Sequence, residues 1–337
     1  VCEEVGMEGA TGIDVSMLKG KKLLNMDSEE EGVMLASCAG GCRADVKLPV
    51  ERETVSGTKL TVSLSGLTGG HSGSEIDKGR GNANTLMSRL LRDASAPVAI
   101  ASIDGGRKDN AIPRECTAQI IVAPDEVAAV KASIEQAAAE IAEEFKASDP
   151  DLKLAVSEET DCSESAISAK DSARVIALIE ALPNGIIRMS REIDKLVETS
   201  LNLGVLKSED TAVTLRYAVR SSVGVAKKSL KNQLVCIAGA FAAEVTFEGD
   251  YPAWEYKKDS KLREDMVRIF EEMYGKKPTV EAIHAGVECG LLSGKIEGLD
   301  CISMGPDMYD IHTTEERLSI SSAKRSYEYI LRVIACK

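Results

Sequence analysis

Three histidines occur in the 337 residues, His71, His284 and His312, and each stands in a short run of small, polar or acidic residues rather than on an apolar helix face. Such settings suit metal ligation, proton transfer or hydrogen bonding to a bound group. His312 lies in Asp310-Ile311-His312-Thr313-Thr314-Glu315-Glu316, beyond an expected strand at Cys301 to Met304 and a Gly305-Pro306 turn. An imidazole there can bind a metal while a nearby carboxylate fixes its tautomer; equally, Thr313 or Thr314 can cap the final helix and leave His312 incidental. Acidic runs occur at Glu3-Glu4 and at Asp27-Ser28-Glu29-Glu30-Glu31. Runs of this kind are usually solvated surface. At a loop, however, adjacent glutamates can divide two tasks, one coordinating a metal and the other taking a proton from metal-activated water. Asp27 ends an apolar stretch from Lys22, and a carboxylate buried there needs a partner such as a metal.

Gly66-Leu67-Thr68-Gly69-Gly70-His71-Ser72-Gly73 sets a histidine among glycines that allow close backbone approach to a ligand. The rival reading, a phosphate cradle, lacks the Lys-Ser/Thr ending and the helix expected of one. Asn110-Ala111-Ile112-Pro113-Arg114 and Arg220-Ser221-Ser222 can each offer a hydrogen-bonding fork to a carboxylate, or can be surface. His284-Ala285-Gly286-Val287-Glu288-Cys289-Gly290 opens a short helical stretch with a histidine and a glutamate together. Cys289 as nucleophile has no base paired with it locally.

The elements that must position these groups have α/β texture at both ends. The pattern predicts a helix over Val5 to Leu18, strands at Lys22 to Asp27 and Val33 to Cys38, and a stop at Gly40-Gly41. From Lys59 a βαββαβ order follows: strand 59–65, helix 82–93, strands 98–103 and 116–122, helix 125–147, strand 152–156. A related order follows over 169–248, so two ferredoxin-like units are expected. The tail predicts helix 260–274, strand 301–304 and helix 322–336, completing a sheet shared with the first segment. The expected domains are 1–45 and 253–337, forming one discontinuous α/β domain, and 46–252 inserted between them.

Composition narrows the partners. A formal charge of -13, with 44% hydrophobic and 28% charged residues, suits an ordinary globular protein and argues against nucleic acid, which needs a basic surface. No apolar run reaches the ~18 residues of a membrane span. Nine cysteines scattered singly read as reduced thiols of a cytoplasmic protein.

Six segments occur in an order that resembles the aminoacyl-histidine dipeptidase, or cytosol non-specific dipeptidase, family of co-catalytic zinc peptidases. They are Glu3-Glu4-Val5-Gly6-Met7, Leu24 to Gly32, Gly69-Gly70-His71-Ser72-Gly73, Asn110-Ala111-Ile112-Pro113, His284 to Gly290, and Asp310-Ile311-His312. The resemblance implies a discontinuous three-layer α/β/α catalytic domain with an inserted α+β ferredoxin-like lid that closes over short peptides. It implies hydrolysis of dipeptides, Xaa-His among them, by a zinc-activated water with Glu3 as general base and His71 polarising the scissile carbonyl. Glu4, Asp27 and His312 resemble metal ligands for Zn2+, two per complete site, with Co2+ or Mn2+ as substitutes. Asn110, Arg220, His284 and Glu288 match segments that line the substrate cleft, and a homodimer through the lid is implied. The family also carries a His-x-Asp segment and a bridging Asp upstream of the Glu pair. This chain opens after both, so the expectation is an N-terminally incomplete enzyme, the alternative being a catalytically silent fragment that at most binds peptide.

Overall fold

The computed structural model describes residues 7–311 and 314–336, with Glu8 described through its backbone alone. The chain enters through α1 (Glu8–Gly12), β1 (Lys22–Asn25) and β2 (Val33–Cys38), then passes directly into β3 (Gly40–Pro49). A first βαββαβ run follows: β4 (Arg52–Ser65), the short β5 (Gly70–His71), α2 (Ala83–Arg92), β6 (Ala99–Gly105), the short β7 (Ala111–Ile112), β8 (Cys116–Val122), α3 (Val127–Glu144) and β9 (Lys153–Ile167). Next come α4 (Ala169–Ala181), β10 (Gly185–Met189), β11 (Val197–Ser208), β12 (Ala212–Ser221), α5 (Gly224–Ala240) and β13 (Glu244–Tyr251). The tail is α6 (Lys261–Tyr274), β14 (Thr279–Ile283), α7 (Glu288–Lys295), β15 (Asp300–Ser303) and α8 (Ile320–Ala335).

Both ends of the chain build one small sheet, in the order β1-β15-β2-β14. β1 and β15 run parallel, β2 and β14 run parallel, and the two pairs meet antiparallel at Ser303 and Leu35. Alternation along the strands divides their side chains between two layers. Met34, Ala36 and Ile302 pack under α6 and α8 with Met266, Phe270 and Tyr329, while Leu35 and Cys301 face Cys289 of α7. The result is a three-layer α/β/α arrangement. Two sequence expectations are corrected here. α1 stops at Gly12 rather than Leu18, because Asp14 accepts a hydrogen bond from the Ser16 N–H (2.9 Å) in a turn that competes with helix. β1 ends at Asn25, two residues before Asp27.

The inserted part is one large sheet, ordered β13-β3-β12-β11-β6-β8-β4-β9, with β10 paired to β11 beside this path. It consists of two four-strand sets joined where Leu206 and Lys207 of β11 pair with Gly105 and Asp104 of β6. In each set the first strand in sequence lies between the third and the fourth, the ferredoxin-like arrangement. The first strand of the second set is β3, so the other unit is inserted inside it. Gly40-Gly41, read from sequence as a stop, instead opens this ten-residue strand. Helices α3, α2, α4 and α5 pack side by side along the sheet. α2 starts where the Asn82 carboxamide accepts from the Asn84 and Thr85 N–H groups, and α4 where Ser168 accepts from Asp171. Ala44, Val46 and Leu48 of β3, Leu60, Val62 and Leu64 of β4 and Leu201 and Leu203 of β11 belong to a single core. Among the described residues, no helix is long and apolar enough to cross a membrane.

Two stretches of chain join the sheets. Cys38 and Trp254 exchange backbone hydrogen bonds (3.0 and 3.1 Å), and Ala39 N–H donates to Ile283 (3.1 Å). At Gly40 a Cβ would stand 2.4 Å from Ala253 N and 2.5 Å from Pro252 C, backbone atoms that cannot step aside. Lys227 of α5, almost wholly buried, binds Asp250 (2.7 Å) and the Tyr251 carbonyl, gathering the returning chain against β3. Because β2 opposes β15 in direction, these crossings leave the small sheet at the end opposite Asp27. Gly40→Ala is expected to destabilise the fold by about 1–3 kcal/mol or more in urea unfolding, the cost of overpacking a fixed contact. Gly20→Ala, where a Cβ meets nothing within 4 Å, is expected to change stability by under about 0.5 kcal/mol.

Candidate functional site

At the small sheet, Asp27 is exposed beyond the carboxyl end of β1, and it is Ser28 that is buried. Asp27 is therefore not desolvated, contrary to what its place after an apolar strand leads one to expect. The loop around it is nonetheless fixed. Ser28 Oγ and Ser303 Oγ are 2.8 Å apart, Ser28 N–H donates to Met304 O, Glu31 N–H to Asp307 Oδ1 (2.8 Å), and Met308 N–H to Glu29 O (2.9 Å). Arg325 of α8 adds a bidentate pair with Glu31 and holds that carboxyl below the usual range. The Asp27 loop is thus clasped to the segment that leads toward Asp310 and Ile311. Glu3, Glu4 and His312 lie outside the described residues. Among the described residues, no three His, Cys, Asp or Glu side chains gather as a metal site.

A second group of candidates converges where the lid meets the His284 turn. Register places Ser200 of β11, Arg220 of β12, Gly41 of β3 and Tyr251 of β13 in one row across four strands. Residues in such a row project from the same face. His284, 5% exposed, binds Ser200 Oγ through Nε2 (2.7 Å), leaving Nδ1 buried without a hydrogen-bond partner. Arg220, 8% exposed, reaches the Tyr251 hydroxyl at 3.5 Å, and its Nε is buried without a partner. Tyr251 itself lies against glycines: a Cβ at Gly41 would meet its hydroxyl at 2.6 Å and one at Gly286 its ring at 2.9 Å.

His71 comes to this group on the glycine loop, which runs into β5 and not into a helix, so the phosphate-cradle reading falls away. Its Nδ1 accepts from the Ser74 and Gly73 N–H groups (3.1 and 3.3 Å). The neutral ring therefore carries its proton on Nε2. Its backbone is held by Glu75, which accepts from His71 N–H (2.8 Å) and pairs with Arg80 (2.8 Å). Gly73 is needed there because a Cβ would stand 2.6 Å from the His284 carbonyl. Burial first, and then the charge of Arg220, lower the basicity of both imidazoles, and His284 is pushed down to about 3. Two neutral rings next to one guanidinium follow from that.

Asn110 is exposed on the turn before β7, the strand that pairs His71 with Ala111. A buried amide chain fixes this turn: Asn82 Nδ2 donates to Asn202 Oδ1 (3.0 Å), and Asn202 Nδ2 donates to the carbonyls of Asp109 (3.1 Å) and Ala111 (2.9 Å). Glu288 opens α7 with a buried, unpartnered Oε2, and its charge acts on Cys38 and Cys289 rather than on the row. Cys289 is an unsuitable nucleophile: its contact with Cys301 and its burial both raise its pKa. The eight cysteines among the described residues are free. The structure therefore brings His71, Arg220 and His284 together with Asn110 on the adjoining turn, and leaves Asp27 apart from them. Ser200 and Tyr251 escaped the sequence reading. A serine inside an apolar strand and an aromatic residue just before the Pro252 exit were the available signals.

Comparison with known proteins gives a consistent relationship. Residues 62–149 match the family described as the peptidase dimerisation domain. The chain is 35% identical over 324 residues to the cytosol non-specific dipeptidase of Escherichia coli strain K12, covering 95% of this chain and 67% of that protein. The crystal structure of aminoacylhistidine dipeptidase from Vibrio alginolyticus is similar over 99% of this chain and 69% of its own, with a TM-score of 0.92 and 32% identity.

The buried neutral His284 has a consequence for stability. Its native pKa of about 3 lies below the ordinary 6.5, so between these values the unfolded chain binds a proton that the native chain refuses. Its contribution is complete above pH 6.5 and is lost as pH falls toward 3, by at most about 1.4 kcal/mol per pH unit. Urea unfolding at a series of pH values is expected to give a shallower acid slope for His284→Gln than for the parent; coincident slopes would contradict the assignment.

Proposed function

Because this chain belongs to the cytosol non-specific dipeptidase family, a family of peptide hydrolases, we propose that it acts as a metal-dependent dipeptidase of the cytoplasm, cleaving dipeptides, Xaa-His among them. One observation carries the reading. Arg220 is nearly buried with an unpartnered Nε, and its charge acts on His71 and His284, both kept neutral. A buried guanidinium with spare donors calls for an anion, and the carboxylate of a short peptide is of the right size and charge. Neutral His71, its proton on Nε2, then donates to the scissile carbonyl oxygen as negative charge develops there. Asn110, His284 and Glu288 we assign to the polar lining that orients the peptide.

Glu3 is assigned as the general base that takes a proton from the attacking water and delivers it to the leaving amine. Glu4, Asp27 and His312 are assigned to the metal. Two carboxylates and an imidazole suit zinc, with cobalt or manganese as substitutes, and the clasp between the Asp27 loop and the segment leading to Ile311 supports their meeting. Zinc, when bound, supplies Lewis-acid polarisation and acidifies water. Of the three donors only Asp27 is among the described residues. Asp27 and the Arg220 row lie toward opposite ends of the small sheet, so in our reading a peptide meets both only after the inserted domain has moved against that sheet. We also assign the pairing of two copies to the unit within residues 62–149, on the strength of its family match.

Glu3→Gln is expected to lower kcat about 10²–10⁴-fold with metal content unchanged; retained turnover would remove Glu3 from its role. Arg220→Met is expected to cost about 30–1000-fold in kcat/KM, from the loss of a charge-assisted pair worth about 2–4 kcal/mol. A protein that holds no metal and turns over no dipeptide would return the reading to a silent, peptide-binding chain.

A further inference from the structure

A cavity of about 550 Å³ opens on the lid where the chain from Gly106 to Glu115 folds back beside the histidine loop. Its floor is made by Leu67, Ala111, Ile112 and Pro113, and three cations, Arg107, Lys108 and Arg114, stand exposed around it. Such a group is notable in a chain whose formal charge is -13. The wall is fixed backbone: a Cβ at Gly106 would stand 1.9 Å from the Gly204 carbonyl oxygen, and one at Gly204 2.6 Å from that of Lys108. Arg114 is held as well. Its Nε donates to the Leu67 carbonyl (3.1 Å), and its side chain lies across Gly69, where a Cβ would meet Cγ at 2.4 Å. The two terminal nitrogens of this guanidinium and the Lys108 ammonium have no acidic partner among the described residues. Arg107 has Glu115 at 3.4 Å, both side chains being largely exposed, and Asp109 on the same loop is taken by Arg43 (2.7 Å). Arg114 takes no part in the Arg220 row. It ends the segment that carries Asn110, and that segment pairs with His71 through Ala111.

We propose that this cavity binds a small organic phosphate, a monoester whose dianionic head lies between Arg114 and Lys108 and whose body fills the space above Ile112 and Pro113. The terminal nitrogens of a held guanidinium match two phosphate oxygens, and the neighbouring ammonium adds a point charge. Two unmatched cations call for about two negative charges, which a phosphate monoester carries near neutral pH and a single carboxylate does not. The volume falls within the roughly 300–1,000 Å³ of small-molecule sites, and a bare phosphate ion would occupy only part of it. The site is separate from the Arg220 row and does not depend on the dipeptidase reading.

The test is calorimetric titration of the protein at about 0.15 M salt with phenyl phosphate, inorganic phosphate and benzoate. Phenyl phosphate is expected to bind at one site, with inorganic phosphate and benzoate each about 10-fold weaker, the one for want of a body and the other for want of charge. Arg114→Met is expected to raise the Kd of phenyl phosphate about 10–100-fold. Lys108→Met, whose side chain has no hydrogen-bond partner among the described residues to lose, is expected to raise it about 3–10-fold and serves where loss of Arg114 loosens the loop. Lys47→Met, an exposed lysine on β3 outside the cavity, is expected to change it by less than about 2-fold. The amide NMR signals of Gly69 and Gly70, which lie beside the Arg114 side chain and the His71 strand, are expected to move with the calorimetric midpoint. Absence of saturable phenyl phosphate binding, unchanged affinity in both cavity variants, an equal loss in Lys47→Met, or unmoved Gly69 and Gly70 signals would overturn the site. Equal affinity for inorganic phosphate or for benzoate would overturn the assignment to a phosphate ester.

Discussion

Two strands of chain crossing at Gly40 connect everything between residues 40 and 251 to the small sheet. The crossing admits no side chain, since the backbone of Pro252 and Ala253 already occupies the space where a Cβ would be. It is also where the site begins. Gly41 follows in β3 next to Arg220, and Tyr251, the last residue of β13, rests against both Gly41 and Gly286. Tyr251 and Arg220 belong to the inserted sheet and the His284 turn follows β14 of the small sheet, so the contacts among them span the crossing. Glycine stands at positions 40, 41 and 286 because three separate contacts demand close approach there.

Electrostatics impose a second constraint. The chain is acidic overall, yet the converging face is built around one guanidinium and two imidazoles. Burial alone favours the neutral form of a histidine, and the charge of Arg220 reinforces it for both rings. The face thus holds one fixed positive charge and two neutral rings, with His71 presenting a donor whose tautomer is set by backbone N–H groups at its other nitrogen. Glu75 opposes this only in part, because its carboxylate is already engaged by the His71 N–H and by Arg80.

What the sequence revealed followed from where local signals were strong. The bounds of β8 are legible in the sequence and those of α2 within one residue, because apolar alternation marks the one and helical period the other. β3 was missed because Gly40-Gly41 is a breaker by every local rule. Only the tertiary crossing gives those glycines a place at the start of a strand. β9 was read as five residues and has fifteen, since its outer stretch of Glu158, Glu159 and Asp161 looks like a loop and is in fact the charged margin of a sheet edge. His71, Arg220 and His284 were legible as chemistry but not as neighbours. Their meeting depends on β12 pairing with β3 across nearly two hundred residues, and no local pattern encodes that register.

The two ferredoxin-like units are bound together by the same face. One contributes His71 on the short β5 and Asn110 on a turn, the other Ser200 and Arg220 on long strands, and the direct strand pairing between the units is only two residues long. The buried amides compensate for that short seam. Asn82 belongs to the first unit and Asn202 to the second, and their hydrogen bonds run from the cap of α2, through β11, to the carbonyls on either side of Asn110. A buried amide left unpaired costs about 1–3 kcal/mol, so separating the units would strand several polar groups at once. These amides act beside the apolar core that both units share and the packing of α2 on α4, and they fix the turn that carries Asn110 against β11.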